Sequence, residues 1–194
     1  DCKIFVSNSL DEFTISSLIA QGACIDSFGV GERMITAKSE PVFGAVYKIA
    51  GVLKEDGVFS PRIKVSENVE KITNPGLKDV YRVYDEAGKA IADIIANKDE
   101  ALEGKIRYVD PQKPWKVRYF ENCTFVKLQE PAVIGGKRVM KPVPVKEIAQ
   151  FVKQQLDNEI WEEEQRFENP HIHYLDMTPK YYEMKMTLLE KVSK

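Results

Sequence analysis

The sequence predicts an α/β unit that gives way to a β-rich region and closes in helices. Three observations carry this expectation. Two short apolar runs, at residues 3–6 and 26–28, flank a segment with helical spacing. Further short apolar runs, separated by Gly, Pro and Asn, fill the middle of the chain. Amphipathic periodicity returns after Pro144.

Each element follows in order. The run at 3–6 reads as a strand and ends in the polar turn Ser7, Asn8, Ser9. A helix fits 11–21: Phe13 or Ile15, then Leu18 and Ile19, recur at helical spacing, and Gly22 stops it. Residues 26–28 read as a second strand leading into Gly29, Val30 and Gly31. A strand, a helix and a strand in that order imply a parallel pair joined by a crossover. Strands are then expected at 46–53, 62–65, 80–84, 90–95, 106–109 and 117–128, mostly antiparallel. Gly57, Pro61, Asn74-Pro75-Gly76 and Gly88 supply the turns between them. Pro144 opens a helix to about Trp161, with Ile148, Phe151, Val152, Leu156 and Ile160 on one face. Thr178 and Pro179 form the cap and first turn of a last helix, lined by Tyr181, Met184, Leu188 and Val192. That stripe reads as core packing.

Composition narrows the function classes. The chain has 194 residues, 43% of them hydrophobic and 30% charged, as in an ordinary globular domain. With 28 basic and 30 acidic residues, it lacks the basic excess of a nucleic-acid or anionic-membrane binder. No apolar run approaches a membrane span. Cys2, Cys24 and Cys123 are odd in number and far apart, which argues against a disulfide framework or zinc site and fits a reducing cytosol. Cys24, after Gly22 and Ala23, is expected to be a small buried residue. The chain lacks an initiator Met and enters a strand almost at once, which reads as a piece of a longer protein.

The Gly29, Val30, Gly31 turn carries the most chemistry. Glycines allow close backbone approach, and successive N–H groups there can cradle a phosphate. A tight turn with no ligand is the plainer reading of the spacing alone. Ser7, Asn8 and Ser9 hold the equivalent place after the neighbouring strand, so both turns should lie at the C-terminal edge of one parallel pair. Asn8 and Asp11 are also explained by turn formation and helix capping. Glu12 suits the helix dipole, and Arg33 and Lys38 are either phosphate donors or solvated charges. His171 and His173 are read as structural, having no third ligand at suitable spacing.

Ser7-Asn8-Ser9-Leu10-Asp11-Glu12, Phe28-Gly29-Val30-Gly31 and Gly44-Ala45-Val46-Tyr47-Lys48 resemble nicotinate phosphoribosyltransferases in order and spacing. The likeness continues through the run from Lys64 to Lys78, Tyr81-Arg82, Asn169-Pro170-His171, Tyr174 and the final helix. It is weakest between about 101 and 141. The resemblance implies a type II phosphoribosyltransferase, an irregular TIM-like α/β barrel beside a mixed domain. This chain would be its C-terminal part: residues 1–53 the last barrel units with the phosphate-binding turn, 54–194 the mixed β-rich and helical region. A complete barrel takes about 250 residues by itself.

The implied reaction joins nicotinate to phosphoribosyl pyrophosphate, giving nicotinate mononucleotide and pyrophosphate in NAD biosynthesis. ATP and Mg2+ are implied as co-substrate and cofactor, a cytoplasmic homodimer as the assembly. The resemblance assigns Gly29, Val30, Gly31, Glu32 and Arg33 to the substrate phosphate and Ser7, Asn8 and Ser9 to the ribose. It places no catalytic or metal-binding residue in this chain, because the pyrophosphate and base grips and the phosphorylatable histidine lie upstream. The chain alone is therefore expected to be inactive. Many relatives carry a small or hydroxyl residue where Glu32 stands. A carboxylate beside a phosphate is unfavourable, so Glu32 is expected to turn toward Arg33 or Lys38. The alternatives are a nicotinamide or quinolinate phosphoribosyltransferase, or a non-catalytic nucleotide-binding module.

Overall fold

The computed structural model describes residues 2–42, 44–102 and 104–192, and of Glu70 the backbone alone. The chain divides into two compact units, Asp1–Tyr47 and Lys48–Lys194.

In the first unit, β1 (Phe5–Ser7) and β2 (Ser27–Gly29) pair in parallel around α1 (Glu12–Ala20), and a short helix, α2 (Glu32–Ile35), follows. Asp26 fixes where the pairing starts. Its carboxylate accepts the Ile4 N–H at 2.6 Å, and its own N–H donates to the Ile4 carbonyl at 3.0 Å. From there the register runs Phe5 to Ser27, Val6 to Phe28 and Ser7 to Gly29. Asp11 caps α1 by accepting the Thr14 N–H at 2.8 Å. Gly22, at φ +78°, ends the helix in a conformation costly for other residues. Cys24 is exposed, contrary to expectation: its neighbours Gly22 and Ala23 lie in the turn leaving α1, on the surface.

The second unit begins with the antiparallel pair β3 (Gly51–Leu53) and β4 (Phe59–Pro61). After a 3-10 turn at Val69–Lys71 come β5 (Lys78–Tyr84), β6 (Ala90–Asn97), β7 (Tyr108–Val109), β8 (Val117–Arg118) and β9 (Thr124–Lys127). The hairpin β10 (Val133–Ile134) and β11 (Lys137–Arg138) precedes α3 (Val145–Asn158), β12 (Leu175–Met177) and α4 (Pro179–Val192). Six strands form one sheet in the order β8-β7-β12-β6-β5-β9. Every pair in it is antiparallel except β12 with β6. Alternation along β6 divides the core. Ala92 and Ile94 join Val83, Tyr108 and Phe120 on one side, and Ile95 joins Met177 and Tyr181 on the other.

Several elements differ from expectation. The strand predicted at 46–53 pairs only at Gly51–Leu53, and the one at 62–65 is replaced by Phe59–Pro61. The run at 117–128 breaks into β8 and β9, on opposite edges of the sheet. The helix predicted from Pro144 forms, yet its apolar residues Ile148, Phe151, Val152 and Leu156 remain exposed among the described residues.

A charged cluster ties the segment before β12 to the sheet. Arg82 and Asp93, facing each other across β5 and β6, make two hydrogen bonds at 2.9 and 3.0 Å. His173 sits between Asp93 and Glu164. Its Nδ1 is 3.1 Å from both Glu164 oxygens, and its buried Nε2 lies 3.4 Å from Asp93 Oδ1 without hydrogen-bond geometry. The carboxylate of Asp93, joined by that of Glu164, outweighs burial and raises the imidazole above its ordinary 6.5. A raised histidine stabilises fully below its unfolded value and loses that contribution as pH climbs through the folded one. Urea denaturation should therefore show stability falling as pH rises above 6.5, with the slope reduced in His173→Gln. Parallel pH profiles for the two proteins would refute the assignment.

Candidate functional site

Parallel pairing of β1 with β2 decides where the site lies. Ser7 stands opposite Gly29, so the chain leaves both strands at one edge and the two polar turns emerge side by side. Between them is a cleft of about 310 Å³ lined by Asn8, Ser9, Gly29, Gly31, Glu32 and Arg33, with Leu10 and Lys38 completing it. Ser7 and Val30 flank the cleft: Ser7 within β1, Val30 half-buried between the glycines.

The turn after β1 is strained. Asn8 has φ +90° and Ser9 φ +51°, successive non-glycine residues in the left-handed region. Asn tolerates that region better than Ser, and each such residue costs on the order of 1–3 kcal/mol. Strain of this kind persists where the surrounding fold imposes it, commonly at ligand sites. Here it turns the two side chains into the cleft.

The two glycines have different reasons. A Cβ on Gly29 would stand 2.7 Å from Phe5 Cζ and 3.1 Å from Ser7 Cβ, so Gly29 is there to let the strands approach. Gly31 has φ −114° and ψ −105°, outside the regions that residues with a Cβ favour, and a Cβ there would meet nothing within 4 Å. Gly31 lines the cleft and puts no side chain into it. Gly31 is also the N-cap of α2 and brings no side chain to cap it. The amides of Glu32 and Arg33 open that helix, where no intrahelical acceptor precedes them.

Charge is arranged around those amides. Asp11 caps α1 with one oxygen and takes Arg33 Nη1 with the other, at 2.8 Å. The Thr14 hydrogen bond first, and Arg33 with it, holds the Asp11 carboxyl below its usual range. Arg33 is thus tethered at the cleft, and among the described residues Asp11 is the one ion-pair partner of its five N–H donors. The Glu32 carboxylate reaches Lys38 Nζ at 3.5 Å. Glu12, further from the cleft, accepts the Ser39 hydroxyl, which lowers its pKa. The tether between Asp11 and Arg33 escaped sequence reasoning, because only the strand-helix-strand register brings the two together.

A second cleft, of about 350 Å³ in the other unit, is lined by Ile91, Trp161, Glu163, Glu164, His171 and Tyr174. Its two carboxylates make it unsuited to a phosphate. His171 packs edge-on against Tyr174, and His173 is engaged with Glu164 and Asp93.

The family profile "Nicotinate phosphoribosyltransferase C-terminal domain" matches residues 77–185. The nicotinate phosphoribosyltransferase of Bacillus subtilis (strain 168) is 34% identical over 195 residues, covering 99% of this chain and 39% of that protein. The Caenorhabditis elegans protein of the same name is 29% identical over 189 residues, covering 96% of this chain and 33% of its own length. The crystal structure of human nicotinic acid phosphoribosyltransferase superposes with a TM-score of 0.68 at 19% identity, over 96% of this chain and 33% of that one. That likeness shows a shared mixed α/β fold. The chain spans 33–39% of the length of these relatives. The cleft residues lie outside the profile match but inside the Bacillus alignment.

Proposed function

Because the chain belongs to the nicotinate phosphoribosyltransferase family, we propose that it is the C-terminal share of an enzyme joining nicotinate to phosphoribosyl pyrophosphate, releasing pyrophosphate and nicotinate mononucleotide for NAD biosynthesis. The observation that supports this best is the convergence of Asn8, Ser9, the open Gly31 and the tethered Arg33 on one cleft. In this reading residues 1–53, of which Asp1–Tyr47 form one compact unit, are the end of a TIM-like barrel. A homodimer acting in the cytoplasm is the assembly this family suggests.

The chemistry asks little of the residues here beyond positioning. Bond exchange at the ribose anomeric carbon passes through an oxocarbenium-like state, so the enzyme gains most by fixing both partners in place. The amides of Glu32 and Arg33 and the Arg33 guanidinium take the 5′-phosphate. Asn8 and Ser9 face the ribose hydroxyls. Glu32, drawn toward Lys38, contributes its N–H and keeps its carboxylate off the anion. No catalytic group of this chain is needed in that step.

Mg2+ and ATP are implied by the resemblance alone. Among the described residues no three His, Cys, Asp or Glu are placed to hold a metal ion, and Asp11, beside the cleft, and Glu32, within it, are engaged by Arg33 and Lys38.

Competing nicotinate, nicotinamide and quinolinate against one another in the full-length protein, with phosphoribosyl pyrophosphate, Mg2+ and ATP, tests the reading. Turnover of nicotinate alone is expected, with none from this chain by itself. Preference for another base overturns the substrate; turnover by the isolated chain overturns the division of the site. The absence of turnover by the full-length protein, with nucleotide still bound, points to a non-catalytic module.

A further inference from the structure

The second cleft, in Lys48–Lys194, has no part in the function proposed above. The segment between α3 and β12 that forms most of it is pinned to β6 at both ends. The Ala90 N–H donates to the Glu159 carbonyl at 2.9 Å, and the Asp93 N–H donates to the Tyr174 carbonyl at 2.8 Å. Ile91 lies between those two anchors and lines the cleft. The segment is also closed on itself. The His171 N–H donates to the Glu163 carbonyl at 2.9 Å, and the Glu164 N–H to the Trp161 carbonyl at 3.0 Å. Surface loops tied together in this way commonly carry a site.

Rings and carboxylates share the lining. Trp161, His171 and Tyr174 help give it a mostly apolar wall, and Glu163 and Glu164 add negative charge. Two of the rings already attract cations of this chain. The Arg118 guanidinium carbon lies 3.6 Å from the centre of the Tyr174 ring, and Lys89 Nζ stands 5.7 Å from that of Trp161. Neither Arg118 nor Lys89 lines the cleft itself. The carboxylates are unequally served. Glu164 is held by His173, whereas the Glu163 carboxylate has no ion pair or hydrogen bond among the described residues.

We propose that this cleft binds a small molecule carrying a methylated ammonium group. A cation answers the charge of Glu163, and aromatic faces hold a cation within about 6 Å of their centres. Methyl groups suit the apolar wall, because they spread the charge over carbon and give up less hydration than a compact primary ammonium. At about 350 Å³ the cleft has the size of a small-ligand pocket. The site lies wholly within Lys48–Lys194 and stands whether or not the cleft in Asp1–Tyr47 binds a nucleotide.

Calorimetry of the full-length protein with choline chloride, against sodium chloride at matched ionic strength, reads the binding. Choline should give a saturable heat. The uncharged alcohol in which carbon replaces its nitrogen should bind about ten-fold more weakly or worse. Trp161 and Glu163 are exposed, so the fold should tolerate Trp161→Ala and Glu163→Gln. Each should weaken choline about ten-fold. Arg33→Ala should bind choline unchanged, which keeps failure of the first cleft separate from failure of this one. No saturable heat from choline, equal affinity for the alcohol, binding unmoved by either variant, or loss of binding in Arg33→Ala overturns the proposal. So does a trimethyllysine peptide that saturates the site where choline does not, since the ligand is then carried on a protein.

Discussion

Replacing Arg118 by alanine should cost about 3–5 kcal/mol of folding stability, the largest single loss expected in this chain. Asp176 is fully buried on β12, next to β6 and β7 in the sheet. Both of its oxygens accept from Arg118 Nη1, at 2.8 and 2.7 Å, and the guanidinium carbon lies 3.6 Å from the centre of the Tyr174 ring. Burial raises the Asp176 pKa even against the pull of Arg118, so desolvation already outweighs the pairing. Without the arginine the carboxylate would stand uncompensated in the interior. Its folded pKa would climb further, and the variant should regain stability as pH falls through that raised value, because protonation then favours the folded state. Urea denaturation of both proteins across the acid range measures this. Replacing both residues with apolar ones of similar volume should recover most of the loss. A loss under about 1 kcal/mol for Arg118→Ala, as for a solvent-exposed pair, would contradict the account.

Arg33→Ala should weaken binding of nicotinate mononucleotide to the full-length protein by about 10- to 100-fold, the value of one charge-assisted hydrogen bond to phosphate. The fold should tolerate the change. Arg33 is 39% exposed, its partner Asp11 keeps the Thr14 cap, and an ion pair at that exposure contributes little to stability. If the phosphate is held equally in ground and transition states, KM rises while kcat holds. Asp11→Asn should have a smaller effect of the same kind, since it loosens the guanidinium without removing it. Calorimetry with the mononucleotide checks both. An unchanged dissociation constant in Arg33→Ala places the phosphate elsewhere.

What was legible in the sequence was what local rules govern. The apolar runs around residues 11–21, the Asp11 cap and the Gly22 stop gave the strand-helix-strand order, and that order put two turns on one edge. Non-local pairing was not legible. Strand β12 has three residues just before a helix cap, and it is a strand only because β6, about 80 positions earlier, offers a parallel edge. Residues 62–65 alternate as a strand should, but β3 finds its partner at Phe59–Pro61, where the Phe59 ring covers Gly51. The periodicity of α3 was plain, whereas what its apolar face meets is no property of the segment itself. At the site, residue types suggested a phosphate turn. The strain at Asn8 and Ser9 and the open space above Gly31 needed coordinates.

A crystal structure of the full-length protein with nicotinate mononucleotide tests the anion cleft most directly. The phosphate should lie within hydrogen-bond reach of the Glu32 and Arg33 amides and the Arg33 guanidinium, with the ribose toward Asn8 and Ser9. A phosphate bound away from both turns, or a Glu32 carboxylate filling the cleft in its place, would contradict the account.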